Sequence, residues 1–457
     1  MKNTILTFIY TGCLFSLLTV SCEKLIEVDL PANQIASGTV FADAQTAEAA
    51  LAGVYAGVWG NSPLAGDKIG LLLSLYTDDL DFYSPTSTNG MPEVYNNGLI
   101  PSNPVVYSQW TAAYQQVYAC NAVIEGCEQS ETLVAADRKR ISGEALLIRS
   151  ILLFNLQQIF GDIPYPVSTD YHLNQAISRK ASAEVLQLLE GHFKESADAL
   201  EDSYRNSERI YLNKKAAQLM LAKVYMQEQR LAEAETLLKI IVGNNMYVIQ
   251  NDVTKTFKKT GTNIIWQLKP ANNGDATKEA IAYYFDYMPP YNYALSSDFM
   301  TSLSANDLRR AAWTKAVTVG GNTWYRPYKY RNLTGNTDEY SVVFRIEEVY
   351  LLLAETLAQQ NKVSEALPYL NATRVRAALP PVAAPITKSE VLNEILLEDR
   401  REFFTETGHR FFDLKRMDRL DLLLTKKPNW KAHHRVWPIP EKELLLNPNL
   451  KPQNTGY

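Results

Sequence analysis

Two stretches of this chain share one spacing of large and small apolar residues. Leu221, Ala222, Tyr225, Ala234 and Leu238 recur, offset for offset, as Leu353, Ala354, Leu357, Ala366 and Leu370. In each copy the first three share a helical face, because residues three and four apart meet there. The last two begin a second helix, with the paired alanines where two helices must approach closely. A helix pair of this kind cannot bury its apolar face alone, so it needs stacked neighbours. Other helical patterns surround it. Residues 42–59 are Ala-rich with apolar positions three and four apart. Residues 107–127 carry Tyr114, Val117, Tyr118 and Asn121 to Ile124, and residues 138–160 end at Gly161 with Pro164 just beyond, a helix stop.

The repeated spacing resembles the tetratricopeptide helix-turn-helix unit. Two copies are readable, fewer than a regular solenoid needs. The expected fold is therefore mostly α, with helical scaffold at roughly 41–76, 105–250 and 342–420. Residues 77–104 and 251–341 differ: they hold turn formers, a β-prone run at 263–268 and many aromatics. Eight of the 26 tyrosines fall within 283–330, with Trp313 and Trp324 among them. Long irregular insertions on a helical frame usually carry function.

The N-terminus sets the compartment. Lys2 precedes a mostly apolar run from Ile5 to Val20, which ends in Leu18-Thr19-Val20-Ser21-Cys22. Small or apolar residues before a cysteine form a lipobox-like end, and the run is short for a membrane span of ~20 residues. The expectation is a lipoprotein signal over 1–21, a lipidated Cys22, a tether over 22–40 and a single body over 41–457. Palmitate-type acyl chains attach such a protein through buried methylenes, at ~0.8 kcal/mol each. Cys13 leaves with the leader. Cys120 and Cys127 lie two helical turns apart, ~10.5 Å along the axis, too far for a disulfide, and read as small core residues.

Further blocks then resemble the SusD/RagB family of surface lipoproteins. They are Gly143-Glu144-Ala145 through Arg149, and Phe154 to Phe160-Gly161-Asp162-Ile163-Pro164. Phe344-Arg345-Ile346-Glu347-Glu348-Val349-Tyr350-Leu351 leads to Ala354-Glu355. Most specific are Glu398-Asp399-Arg400-Arg401-Glu402-Phe403 and Gly408-His409-Arg410-Phe411-Phe412-Asp413-Leu414-Lys415-Arg416. Trp437-Pro438-Ile439-Pro440 and Gln453-Asn454-Thr455-Gly456-Tyr457 complete the series. The resemblance runs nearly end to end. It implies tetratricopeptide-like pairs on one side and an irregular ligand-binding half on the other. It also implies oligosaccharide binding without cleavage and a SusC-like TonB-dependent transporter as partner, at the cell surface in the outer membrane. The family's binding residues follow no fixed motif, so none transfers by position.

Composition narrows the chemistry. With 45 Lys+Arg against 50 Asp+Glu and no basic block, a nucleic-acid partner is excluded, since phosphate binding needs clustered cations. There is no GxSxG, HExxH, P-loop or GxGxxG. His433-His434 would point opposite ways in an extended strand, so no metal and no cofactor beyond the lipid anchor is expected. The acidic run Asp78, Asp79 and Asp81 offers hydrogen-bond acceptors for sugar hydroxyls, or one member of a hydrolytic pair. Glu398, Glu402 and Glu406 fall four apart beside Arg400, Arg401 and Arg410, a spacing suited to a structural ion-pair network. Function is placed in the aromatic segments, where flat rings cover the C–H faces of sugars and polar tips meet their hydroxyls. The candidate ligand contacts are Asp79, Tyr83, Tyr95, Tyr283, Tyr287, Tyr291, Trp324 and Tyr325. Tyr283, Tyr287 and Tyr291 would share a face if helical, although Pro289-Pro290 opposes this. The favoured reading is a non-catalytic glycan-binding lipoprotein. The alternatives are a lipid-anchored glycoside hydrolase and a helical-repeat adaptor that binds only protein.

Overall fold

The computed structural model describes residues 40–457; the leader, Cys22 and the expected tether up to residue 39 lie outside the described residues. Ten helices of eight or more residues form the scaffold among them. They are α1 Ala44–Asn61, α2 Pro104–Gln129, α3 Ala135–Phe160, α4 Ser182–Ala199 and α5 Lys214–Gln227, then α6 Leu231–Val242, α7 Ile346–Gln359, α8 Val363–Arg376, α9 Lys388–Phe403 and α10 His409–Arg416. Each packs on the next from α1 to α10, and α9 also returns onto α7. The result is a stack of helix pairs, mostly α as expected.

The two copies of the repeated spacing are α5–α6 and α7–α8, and they match down to their turns. Gln229 and Asn361 both take left-handed backbone, at φ 60° and 63°. Beyond them Arg230 N–H donates to the Tyr225 carbonyl at 2.8 Å, and Lys362 N–H to the Leu357 carbonyl at 2.9 Å. This is the Schellman closure, which satisfies carbonyls that the helix end would otherwise strand. The same closure ends α8, through Leu379 and Arg374, and α10, through Arg419 and Leu414. Ala222, Ala234, Ala354 and Ala366 are fully buried, so a larger side chain there would overpack the pair. Close approach also joins α3 to α4. A Cβ on Gly143 would stand 2.5 Å from the Ala199 Cβ, far inside contact distance. Cys120 and Cys127 are buried free thiols, and burial pushes Cys120 up to about 12.

Eight short strands form four antiparallel pairs in the remaining segments. β1 Leu80–Phe82 pairs with β5 Tyr293–Leu295, and β2 Ile163–Pro164 with β3 Arg179–Lys180. β4 Ile264–Leu268 pairs with β8 Ser341–Arg345, and β6 Thr314–Val319 with β7 Asn322–Pro327. The β6–β7 turn is Gly320-Gly321, both at positive φ, the two-residue turn whose twist suits a hairpin. Two expectations change. The block from 342, read as helix, opens as β8, and only at Ile346 does α7 begin. β8 thus bolts the irregular half directly onto the second helix pair. His433 and His434 sit in a 3-10 turn, Ala432–Arg435, and not in a strand. Their rings lie 4.2 Å apart edge to face, and His434 Nδ1 accepts the Lys431 N–H at 3.0 Å. Among the described residues no cluster of His, Cys, Asp and Glu is suited to a metal, and no helix is long and apolar enough to cross a membrane.

Candidate functional site

The site forms where β1, β5 and β7 meet. The β1–β5 register sets Asp81 opposite Ala294 and Phe82 opposite Tyr293, and Tyr83 N–H donates to the Asn292 carbonyl at 2.8 Å. Strand alternation then puts Asp81 and Tyr83 on one face. Phe82 turns to the other and stacks on Tyr293 at 5.8 Å. β5 lies against β7, which brings the hairpin aromatics alongside. Asp81, Tyr83, Ser297, Arg310, Trp324 and Tyr325 are among the residues lining one open cleft of about 630 Å³. That volume is within the ~300–1,000 Å³ of ordinary ligand sites.

Each functional group there is braced. The Tyr95 hydroxyl donates to Asp81 Oδ1 at 3.1 Å, and Lys427 Nζ sits 3.9 Å above the Tyr95 ring. Burial raises the Asp81 carboxyl, with the Tyr95 hydroxyl and the Lys427 charge pulling it back. Burial and the Asp81 charge push Tyr95 up to about 12 and also raise Tyr83. Both phenols are therefore protonated donors at neutral pH. Arg310 lies 5.4 Å over the Tyr325 ring and donates to the Met300 and Leu303 carbonyls, each at 2.7 Å. Trp324 packs on a small cluster of Phe285, Ala294 and Val317, while Tyr325 leans on the main core.

Of the residues expected from sequence, Tyr83, Trp324 and Tyr325 line this cleft, and Tyr95 stands behind Asp81. Asp79 does not reach it. It is fully buried and accepts from Arg400 Nε at 2.8 Å. Tyr283 is likewise a core residue, its hydroxyl donating to the Gly66 carbonyl at 3.1 Å. The helix Lys278–Ala282 stops before it, so Tyr283, Tyr287 and Tyr291 share no helical face. Tyr287 and Tyr291 are 86% and 80% exposed on the loop that leads into β5. Sequence reasoning missed Arg310. Its neighbour Arg309 has the same charge but is fully buried among acids, and nothing local distinguishes the two.

Beneath the cleft runs the ion-pair network expected at 398–416, wider than the spacing suggested. Arg309 binds Asp307, Glu398 and Glu402 at 2.7–2.9 Å. Arg345, from the end of β8, and Arg376, from the end of α8, reach the same Glu402. These arginines hold the Glu402 carboxyl well below the usual range despite its burial. A second cluster anchors β1. Arg400 spans Asp79, Asp298 and the Asp78 carbonyl, and Arg410 pairs with Asp78 at 2.9 Å. Burial raises Asp78, but Arg410 and Arg400 outweigh it and bring the group to about 2. The cleft's strand is thus tied to α9 and α10 by buried charge.

Two family models match this chain, one described as "SusD family" over residues 211–432 and one as "Starch-binding associating with outer membrane" over 44–226. The chain belongs to the SusD/RagB family. Two relatives from Formosa agariphila, SusD-like proteins P2 and P25, are 25% and 24% identical to it, over 100% and 98% of both chains. Among solved structures, surface glycan-binding protein A from Bacteroides thetaiotaomicron aligns with a TM-score of 0.78 at 19% identity, covering 91% of this chain and 100% of that one. The same protein in complex with laminarihexaose aligns at 0.77 and 19%, covering 90% and 99%. A SusD superfamily protein from Bacteroides vulgatus aligns at 0.77 and 20%, covering 91% and 99%. At these identities the structures establish a shared fold for this SusD-like chain.

Proposed function

We propose that this SusD-like protein is a cell-surface lipoprotein that captures oligosaccharide without cleaving it and hands it to a TonB-dependent outer-membrane transporter. The observation that carries the reading is the cleft itself. Partly exposed Tyr83, Trp324 and Tyr325 rings stand beside Asp81, Ser297, Thr323 and Arg310. Rings cover apolar sugar faces, and the polar groups accept from and donate to the hydroxyl rims. The laminarihexaose complex of a protein with this fold supports the ligand class. Asp81 is the one carboxylate among the cleft's lining residues, whereas glycoside hydrolysis uses a flanking pair. That favours capture over cleavage.

Incubating the purified chain with a panel of neutral oligosaccharides, laminarihexaose included, tests the reading. Retention without turnover supports capture. Released product refutes it in favour of a hydrolase, and neither retention nor product favours a protein-binding adaptor. Lipid attachment is tested separately: Cys22→Ala is expected to move the protein out of the membrane fraction. Co-purification of a plugged β-barrel transporter from intact membranes tests the partner.

A further inference from the structure

A second cleft lies away from β1 and the hairpin. It opens between α2, the segment that follows α3, and the C-terminal helix Glu441–Leu446 with the turn after it, and its volume is about 540 Å³. On α2, Trp110, Tyr114 and Tyr118 are spaced four apart and so form one column on one helical face. The column grades from core to solvent. Trp110 is buried, with its ring 4.7 Å from Tyr114, while Tyr118 is 55% exposed. The Tyr114 hydroxyl donates to the Pro164 carbonyl at 2.8 Å, which fixes the middle of the column. Tyr171, 71% exposed, stands on the opposite wall.

The polar lining is almost entirely neutral. Glu443 is the one charged residue among the seventeen that line the cleft, and the amides of Asn174, Gln175 and Asn447 ring it. Two of these amides are held from behind: Asn174 donates to the Ser168 carbonyl and Asn447 to the Ile177 carbonyl, at 2.7 and 2.8 Å. Among the described residues, the Tyr118 and Tyr171 hydroxyls and the Gln175 amide have no hydrogen-bond partner in the protein. An anionic ligand would meet the Glu443 carboxylate and no countercharge here, and a wholly apolar one would strand the amides. Flat rings, amides and hydroxyls with a single carboxylate to accept from hydroxyls match a neutral sugar.

We infer that this cleft is a second carbohydrate-binding site, taking a short neutral oligosaccharide between Tyr118 and Tyr171. The site is independent of the Tyr83–Trp324 cleft and shares no lining residue with it. It would let one molecule hold a chain at two places, raising retention through effective concentration.

Tyrosine nitration by tetranitromethane on the purified full chain, read by peptide mass, tests this with laminarihexaose, cellohexaose and maltohexaose as probes. At least one sugar is expected to slow nitration of Tyr118 and Tyr171 fivefold or more. Protection of Tyr83 without Tyr118 and Tyr171 overturns the second site and leaves the first. Protection of none of the three overturns it as well. Equilibrium titration supplies the second arm. Tyr83→Ala/Trp324→Ala is expected to retain weaker binding, which adding Tyr118→Ala/Tyr171→Ala reduces at least tenfold. Both tyrosines are exposed, so the fold tolerates their loss. Residual binding unchanged by that addition refutes the proposal, as does complete loss of binding in the first double variant.

Discussion

Arg400→Met removes the buried cation that ties the cleft's strand to the C-terminal helices. Arg400 donates to Asp79 Oδ1 at 2.8 Å, to Asp298 Oδ2 at 2.9 Å and to the Asp78 carbonyl at 2.9 Å. Methionine fills the volume but leaves the Asp79 carboxylate fully buried with no bonded cation, while Asp78 keeps Arg410. Breaking a buried ion pair from one side costs ~3–5 kcal/mol, because the remaining charge keeps its desolvation penalty. With an unfolding entropy of ~2.1 cal/mol/K per residue over a body of this size, that loss corresponds to a fall in Tm of roughly 3–6 °C. Thermal unfolding followed by circular dichroism at pH 7 measures it, with Glu365→Gln, an exposed change expected within ~0.5 kcal/mol, as the reference. Because Asp78 and Asp79 lead directly into β1, which carries Asp81 and ends just before Tyr83, laminarihexaose affinity is expected to fall in the same variant. A Tm within ~1 °C of the parent would refute the anchoring argument, and unchanged affinity despite a lowered Tm would separate the anchor from the cleft.

Buried lysines give a pH signature. Burial lowers Lys415 to about 7 and both Lys329 and Lys427 to about 8. Their unfolded values are ~10.4, but above about pH 9 the thiols and phenols that burial raises lose protons first in the unfolded chain and pull the other way. The lysines therefore dominate between about pH 7 and 8.5, where the unfolded chain binds more protons and stability rises with pH, by at most ~1.4 kcal/mol per unit for each lysine. Urea unfolding across that range checks this; a falling midpoint contradicts it, and Lys415→Met is expected to flatten the slope. Trp324→Ala is expected to weaken laminarihexaose binding in equilibrium titration, leaving the weaker binding of the second cleft, while shifting Tm by little, since the ring packs on a satellite cluster and not the main core. Gly70→Ala drives a Cβ to 2.4 Å from the Thr405 carbonyl oxygen, a backbone atom that cannot swing away. A loss of ~1–3 kcal/mol is expected, and an unchanged denaturation midpoint contradicts the close approach.

The helix pairs were legible because their causes are local. Ala222, Ala234, Ala354 and Ala366 mark close contacts through spacing alone, and Gly161 announces its helix end at φ 78°. The ion-pair block at 398–416 was legible in kind, since acids four apart beside arginines suit such a network, yet Arg309, Arg345 and Arg376 join it from distant segments. The cleft was legible only as a region. Asp79 and Asp81 lie two residues apart and look alike in sequence. Asp79 is sealed by Arg400, 321 residues further along, and Asp81 faces the cleft. Tyr283 and Tyr287 diverge in the same way, one capped in the core and the other in water.

The order of residues therefore determined by itself where helices start, stop and pair, because spacing, small side chains and turn chemistry act within a few residues. Which tyrosine meets solvent, which aspartate meets an arginine, and that β1, β5 and β7 converge into one cleft were decided by the tertiary structure. Burial and charge pairing depend on neighbours that only the folded chain brings together.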